Sequence, residues 1–174
     1  MAYFDNAATT FPKPESVYDF MNTFYRECGG NAGRGSHKLS VGAGKMISET
    51  RNRLKKLLHC ENKQIVFTPS ATIALNMILQ GVLSGQKDQK RNVYISPFEH
   101  NAVTRVLHYY ENIGEITVRL LAIKDDLTYD FEGIQAQFAK DSPDLMVVSH
   151  ASNVIGLVSP VEELCSIAKK YGAV

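Results

Sequence analysis

Three clusters of polar residues stand out because each directly follows a short apolar run. Ser70-Ala71-Thr72 follows residues 65–68, Glu99-His100 follows residues 92–96, and Ser152-Asn153 follows residues 145–149. Hydroxyl groups and free N–H groups at a helix start bind anions, an imidazole can stack or transfer protons, and an amide can bond a hydroxyl or a carboxylate. Together the clusters predict one site with a phosphate cradle. Taken singly, each is also compatible with a helix cap, a loop histidine or a turn asparagine.

The stretch from residue 64 to residue 82 is predicted to position the first cluster. Ile65 to Thr68 is an apolar run that predicts a strand, and Pro69 ends it. A helix is predicted to start near Ser70 to Thr72, since apolar residues then recur every three or four positions as far as Val82. Its first turn offers unpaired N–H groups and the positive end of the helix dipole. Ser70 and Thr72 can add hydroxyl donors, although capping alone would also explain them.

The other elements alternate along the chain. Further strands are predicted at 92–96, 116–121 and 145–149, with the last buried on both faces and with Ala173-Val174 starting another. Helices are predicted at 17–28, 40–59, 102–110, 130–139 and 160–171, and residues 81–90 form a polar connection. Ser16 is predicted to cap the first helix, and Ser159-Pro160-Val161-Glu162 has capping-box spacing. The alternation predicts an α/β fold with a parallel sheet and a ligand outside the carboxyl ends of its strands.

Composition limits the classes of function. The 174 residues are 44% apolar with a net charge of +1, which gives no case for nucleic acid or an anionic membrane surface. The sequence lacks an apolar run of about 18 residues, so no membrane span is expected. Three widely separated cysteines, Cys28, Cys60 and Cys165, argue against a disulfide framework or a metal site and predict a reducing, cytoplasmic location.

Four motifs carry a resemblance to a known family. They are Asp5-Asn6-Ala7-Ala8-Thr9-Thr10, Ser70-Ala71-Thr72-Ile73-Ala74-Leu75-Asn76, Glu99-His100-Asn101-Ala102-Val103 and Ser152-Asn153-Val154-Ile155-Gly156. Their order resembles that of cysteine desulfurases, which belong to the class V aminotransferase family of pyridoxal-phosphate enzymes. The resemblance covers nearly the whole chain. It implies an extended arm at residues 1–16, followed at 17–174 by part of the three-layer α/β/α large domain of a fold type I enzyme, with a mostly parallel sheet.

The resemblance also implies which residues bind the cofactor, pyridoxal 5'-phosphate. Ala71 would hold its phosphate through the backbone N–H, and Thr72 through its hydroxyl. His100 would stack on the pyridine ring and act as the catalytic proton carrier. Asn153 would bond the ring hydroxyl or the substrate carboxylate.

Substrate-binding residues are implied in the same way. Asn6 and Ala7 would lie near the substrate carboxylate, together with Asn153. Residues 34–37 match a glycine-rich active-site segment of some members. Ile73 departs from the family pattern, because many members have Glu after the Thr.

The family's Schiff-base lysine and nucleophilic cysteine belong to segments that would follow Val174. Lys38, in Ser36-His37-Lys38, is an unsuitable substitute because it precedes the predicted phosphate loop. The chain is therefore expected to be an N-terminal fragment that is inactive alone and binds the cofactor weakly or not at all.

The expected parent activity is conversion of L-cysteine to L-alanine with formation of an enzyme-bound persulfide. An amino-acid substrate, a sulfur-acceptor protein and a homodimer are implied by the same resemblance. The alternatives are another class V enzyme, such as a small-amino-acid aminotransferase, a selenocysteine lyase or a kynureninase-like hydrolase, and a non-catalytic truncated module.

Overall fold

The computed structural model describes residues 2–84 and 90–174, which divide into two compact units. The first unit ends at Phe67, and the second runs from Thr68 to Val174. Of the predicted connection at 81–90, residues 85–89 lie outside the described residues, and residues 81–83 belong to a helix instead. None of the helices in the described ranges has the length and apolar character needed to cross a bilayer.

The first unit contains two helices, α1 (Glu15–Cys28) and α2 (Lys38–Leu57). Helix α1 starts after Pro14 without a side-chain cap, so the predicted cap at Ser16 is wrong, and that residue lies inside the helix. Helix α2 begins before the predicted residue because His37 caps it: Nδ1 accepts a hydrogen bond of 3.3 Å from the Ser40 N–H. Two lysines in its last turn complement the helix dipole, as predicted.

The strand predicted from Ile65 to Thr68 is absent, because residues 64–68 of the described chain form no regular structure. Val66 is 72% exposed instead of buried. The Ile65 carbonyl accepts a hydrogen bond of 3.1 Å from Arg51 Nε, and the Arg51 guanidinium lies 5.2 Å from the centre of the Phe67 ring. The Arg51 side chain of α2 therefore donates to a backbone carbonyl that the apolar pattern predicts to pair with a neighbouring strand.

The second unit has the predicted alternation of helices and strands. Its elements are α3 (Ala71–Leu83), β1 (Arg91–Ile95), α4 (Asn101–Asn112), β2 (Ile116–Leu120), α5 (Phe131–Lys140), β3 (Leu145–Val147) and α6 (Val161–Lys170). The strands form a parallel sheet in the order β2-β1-β3, in which Val93 pairs with Val118 on one side and with Leu145 on the other. The predicted α/β fold with a parallel sheet is confirmed.

Helices cover both faces of this sheet because neighbouring residues of a strand point to opposite sides. Val93 and Ile95 pack with buried residues of α3 and α4, including Leu83 and Leu107. Tyr94 packs on the other face, with the buried residues Ile134, Phe138, Leu164 and Ile167 of α5 and α6. The result is three layers, with helices, sheet and helices in turn.

The chain after α6 returns to the edge of β3. The Met146 N–H donates to the Val174 carbonyl at 2.9 Å, and the Val174 N–H donates to the Asp144 carbonyl at 3.2 Å. These two bonds are those expected of a strand that begins beside β3, which the sequence predicts at Ala173-Val174. The two residues do not themselves form a regular strand. Strand β3 itself is shorter than predicted and only partly buried.

The capping box predicted at Ser159 does not form. Helix α6 follows Pro160 without a side-chain cap. The Ser159 hydroxyl donates instead to the Ser149 carbonyl at 2.8 Å. The Ser159 hydroxyl therefore bonds a carbonyl ten residues earlier in the chain, and not the start of the helix that its spacing predicts it to cap.

Candidate functional site

The first turn of α3 presents polar groups to one side of the second unit. The Ser70 side chain caps the helix by accepting a hydrogen bond of 3.2 Å from the Ile73 N–H. The N–H groups of Ala71 and Thr72 belong to the same turn, where a helix has no carbonyl of its own to pair with them. Both residues are exposed. This turn can therefore receive an anion at two N–H groups and the Thr72 hydroxyl.

His100 occupies the corresponding position at the start of α4, after the carboxyl end of β1. Its Nδ1 accepts a hydrogen bond of 3.0 Å from the Ala102 N–H, so the imidazole caps the helix. That bond requires Nδ1 to be unprotonated, and it leaves Nε2 as the nitrogen available to a ligand. The cap fixes both the position of the ring and the atom at which it can transfer a proton.

Thr72 and His100 line the same open cavity, which has a volume of about 780 Å³. It extends between α3 and α4, away from their N-termini. This volume falls within the range of pockets that bind small molecules and cofactors, about 300–1,000 Å³. The cavity brings together two of the three polar clusters that the sequence predicted to meet.

Further polar residues of the cavity were missed in the sequence, although their spacing marks them. Asn76 and Gln80 follow Thr72 at intervals of four on α3, and Arg105 and Tyr109 follow Asn101 in the same way on α4. Residues four apart share one face of a helix. A search of the sequence for polar residues at intervals of four after Thr72 and after Asn101 would have found the residues that line both sides of the cavity.

Asn153 lies at the same edge of the sheet, but it is not among the residues that line this cavity. It is exposed in a turn that begins at Ser152, whose hydroxyl accepts hydrogen bonds from the Val154 and Ile155 N–H groups. The turn is closed by a bond of 3.0 Å from the Gly156 N–H to the Ser152 carbonyl. The role of Asn153 stays a prediction.

Asn6 and Ala7 belong to the first unit, and their predicted role is untested by the geometry. Asn6 Oδ1 accepts a hydrogen bond of 3.2 Å from the Phe11 N–H, next to a turn in which the Ala8 N–H donates to the Asp5 carbonyl. The boundary between arm and domain at residues 16 and 17 likewise stays a prediction.

Glu99 links the segment before His100 to the end of β3. Its carboxylate accepts hydrogen bonds from both the N–H and the hydroxyl of Ser149. Burial raises the pKa of Glu99, and the bonds from Ser149 and from the His100 backbone oppose that rise. The sequence placed Glu99 in a strand-end cluster but did not reveal its partner.

A family model, Aminotransferase class-V, matches residues 2–174. The chain belongs to the aminotransferase class V family. Membership agrees with the three-layer fold and with a site at the starts of α3 and α4, where Thr72 and His100 line one cavity.

Curated relatives that match this chain include cysteine desulfurases. The chain is 32% identical over 170 residues to cysteine desulfurase IscS of Dictyoglomus turgidum, covering 97% of this chain and 42% of the relative. It is also 32% identical over 169 residues to the mitochondrial cysteine desulfurase of Arabidopsis thaliana, covering 97% of this chain and 37% of the relative. The chain thus spans about two fifths of the length of the curated relatives it matches.

A solved structure of the family shows the same fold. The apo structure of cysteine desulfurase from Thermococcus onnurineus NA1 matches with a TM-score of 0.89 and 27% identity, over 99% of this chain and 42% of that one. The class V family uses pyridoxal 5'-phosphate, so the described site can be compared with the needs of this cofactor.

The residues present fit a phosphorylated pyridine. The α3 turn offers two N–H groups and a hydroxyl for a dianionic phosphate, and the positive end of the helix dipole adds to their attraction. The imidazole of His100, held by its cap, stands on the wall of the same cavity as Thr72. An aromatic ring near a phosphate cradle is the combination that such a cofactor requires.

Proposed function

We propose that this chain supplies the phosphate- and ring-binding residues of a pyridoxal-phosphate enzyme with cysteine desulfurase activity, which converts L-cysteine to L-alanine and an enzyme-bound persulfide. The observation that carries the proposal is the cavity shared by Thr72 and His100. The two curated relatives reported above are named as cysteine desulfurases, which supports the choice of this reaction over the other class V activities.

Each residue has a defined task in this proposal. Ala71 and Thr72 bind the phosphate, and the His100 ring stacks on the pyridine while Nε2 holds or transfers a proton. When bound, the cofactor supplies an electron sink for reactions at the substrate α-carbon. Asn153 orients the ring hydroxyl or the substrate carboxylate, and Asn6 and Ala7 bind the substrate carboxylate.

The partners are proposals of the same kind. Membership of the family supports an amino-acid substrate, a sulfur-acceptor protein and a homodimeric assembly, and the three widely separated cysteines support a cytoplasmic location. Size-exclusion chromatography with light scattering tests the assembly: a mass of twice 19.3 kDa supports the homodimer, and a monomer at all concentrations contradicts it.

Binding of pyridoxine 5'-phosphate to the 174-residue chain tests the proposed site. This probe keeps the ring and phosphate of the cofactor, but it lacks the aldehyde and cannot react with surface lysines. This chain is expected to bind weakly, so wild type, Thr72→Val and Thr72→Ser are titrated with the probe to high concentration and followed by ¹H–¹⁵N spectra, which isolates the contribution of the Thr72 hydroxyl. Because a hydrogen bond to a charged group contributes about 1.5–3 kcal/mol, we expect Thr72→Val to lose at least about tenfold in affinity and Thr72→Ser to retain most of it.

Phosphate-free pyridoxine is the matched control ligand. We expect it to bind more weakly than the phosphorylated probe and to respond little to Thr72→Val. Equal binding of the two ligands, or equal affinity of all three proteins for pyridoxine 5'-phosphate, would contradict the proposed phosphate cradle.

A further inference from the structure

A circuit of hydrogen bonds connects the two loops that follow β1 and β3. It begins at Glu99, whose carboxylate accepts from the Ser149 N–H at 2.5 Å and from the Ser149 hydroxyl at 2.8 Å. The two residues are 50 positions apart in the sequence. The Glu99 carboxylate therefore accepts from both hydrogen-bond donors of Ser149, its backbone N–H and its hydroxyl.

Three hydroxyl groups continue the circuit behind Glu99. The Ser149 carbonyl accepts from the Ser159 hydroxyl at 2.8 Å, and that hydroxyl lies 3.0 Å from the Tyr129 hydroxyl. Tyr129 is in turn 2.9 Å from the hydroxyl of Ser96, which accepts a hydrogen bond of 3.1 Å from the Phe98 N–H. The circuit therefore returns to the segment that contains Glu99.

These three hydroxyl groups are buried, so each depends on a partner within the protein. Ser96 is 1% exposed, and Tyr129 and Ser159 are each 5% exposed. A buried polar group that loses its partner costs free energy without recovering it from water. Displacing the Glu99 segment from the Ser149 segment would therefore leave several buried groups unpaired.

The circuit fixes the base of each loop that carries a predicted ligand contact. His100 follows Glu99 directly, and its ring is held by the Ala102 N–H at 3.0 Å. After the neighbouring strand β3, Ser149 precedes the loop that contains Asn153, and the Ser159 N–H donates to the His150 carbonyl at 2.8 Å. The covalent chain and these bonds thus place both loops relative to each other.

We propose that Glu99 is a positioning residue of the cofactor site, holding the loop of Asn153 against the loop of His100 so that both reach one ring. This inference rests on the proposed function for the identity of the ligand. It assigns Glu99 a task separate from phosphate binding, which belongs to the start of α3. The matched variants are Glu99→Ala, which removes the tether, and Glu99→Gln, whose amide oxygen and NH₂ can still pair with the Ser149 N–H and hydroxyl.

The first measurement is made on the 174-residue chain without ligand. Amide hydrogen exchange at Ser149 reports the tether itself, because its N–H donates to Glu99. We expect Glu99→Ala to accelerate this exchange by at least about tenfold, and Glu99→Gln by less than about threefold, with the amides of α3 unchanged in both. Acceleration throughout the second unit, or none at Ser149, would overturn the positioning role.

The second measurement adds pyridoxine 5'-phosphate and follows ¹H–¹⁵N spectra. We expect wild type and Glu99→Gln to show ligand-induced shifts at Thr72, His100 and Asn153. Glu99→Ala should keep the shift at Thr72 and lose that at Asn153. If Glu99→Ala keeps all three shifts, Glu99 does not position the loop. If wild type shows none of them, this chain alone does not form the proposed cofactor site, whereas the exchange at Ser149 still decides the tether.

Ser149→Ala provides a variant with a milder change. It removes the hydroxyl bond to Glu99 but keeps the backbone bond, so this variant should fold even if Glu99→Ala fails to fold. We expect an intermediate loss of the Asn153 shift. An Asn153 response identical to that of wild type would count against the tether.

Discussion

Ser70 shows how one residue can serve both the fold and the proposed site. Its hydroxyl caps α3 by accepting from the Ile73 N–H, and it is adjacent to the N–H groups proposed to bind phosphate. Ser70→Ala should lower the free energy of unfolding by about 1 kcal/mol, the usual effect of losing a helix cap. Urea denaturation followed by circular dichroism measures this change.

Ser70→Asp separates the two tasks. Aspartate is as good a cap as serine, so stability should stay within about 0.5 kcal/mol of wild type. Its charge lies close to the anion site, and we expect it to weaken pyridoxine 5'-phosphate binding by at least about fivefold. Unchanged affinity for the phosphorylated ligand would place the phosphate elsewhere.

The raised pKa of Glu99 predicts a specific pH dependence. Burial makes the folded protein hold this proton more tightly than the unfolded chain, whose value is near 4.5. The contribution of Glu99 to stability is therefore fully present below that value and is lost as the pH rises through the raised pKa.

Comparison of wild type with Glu99→Gln measures this effect, because glutamine cannot titrate. The difference in free energy of unfolding, wild type minus variant, should fall as the pH increases from 4 upwards and become constant above the raised pKa. A difference that is flat throughout, or that increases with pH, would contradict the assigned cause.

The residues of the site were only partly predictable from the sequence. Thr72 and His100 were predicted to meet because both were expected to follow strands of one parallel sheet. In the described chain only His100 follows a strand; Thr72 reaches the shared cavity because α3 packs beside α4 against the sheet. The bond between Glu99 and Ser149 spans 50 residues, and no local pattern marks it. Ser159 was misassigned for a related reason: its spacing fits a capping box, but in the folded chain the Ser149 carbonyl accepts its hydroxyl.

Two helical glycines provide a matched test at the scale of elements. A Cβ on Gly133, in the first turn of α5, would lie 2.6 Å from Asp130 Oδ2 and 3.0 Å from Ala122 Cβ. The Asp130 side chain cannot move away freely, because it caps α5 at the Gly133 N–H. Gly133→Ala should therefore destabilise the protein by about 1–2 kcal/mol, despite the better helix propensity of alanine.

Gly81 in α3 is the control, since a Cβ there meets nothing within 4 Å. Gly81→Ala should stabilise the protein by about 0.5–1 kcal/mol. The two changes in the free energy of unfolding should have opposite signs by urea titration. Equal signs would show that helix propensity or packing alone decides both positions.

The helices and strands of the second unit followed from periodicity because most of them bury one face in the unit itself. Helix α4, for example, was expected from residue 102 and begins at Asn101. The failure at 65–68 occurred where no neighbouring strand pairs with the segment in the described chain, and where Arg51 bonds the backbone instead. An apolar run predicts a strand only when a partner strand is present.

At the scale of the whole molecule, the two units differ in how they use their apolar residues. The second unit contains both apolar clusters of the described residues, one on each face of the sheet. In the first unit, α1 has no buried residue, and Phe20 and Met21 are 58% and 48% exposed. The apolar residues of α1 thus recur at helical spacing, as predicted, but none of them is buried in this structure.

The central claim is that Thr72 and His100 bind the same phosphorylated ring. Intermolecular nuclear Overhauser effects between pyridoxine 5'-phosphate and the 174-residue chain test it most directly. We predict contacts from the pyridine ring proton and methyl group to the His100 imidazole, together with a shifted Thr72 amide that returns to its free position when pyridoxine replaces the phosphorylated ligand. Contacts of the ring to residues outside this cavity, for example to Ser36, His37 or Lys38 at the start of α2, with His100 unaffected, would contradict the account.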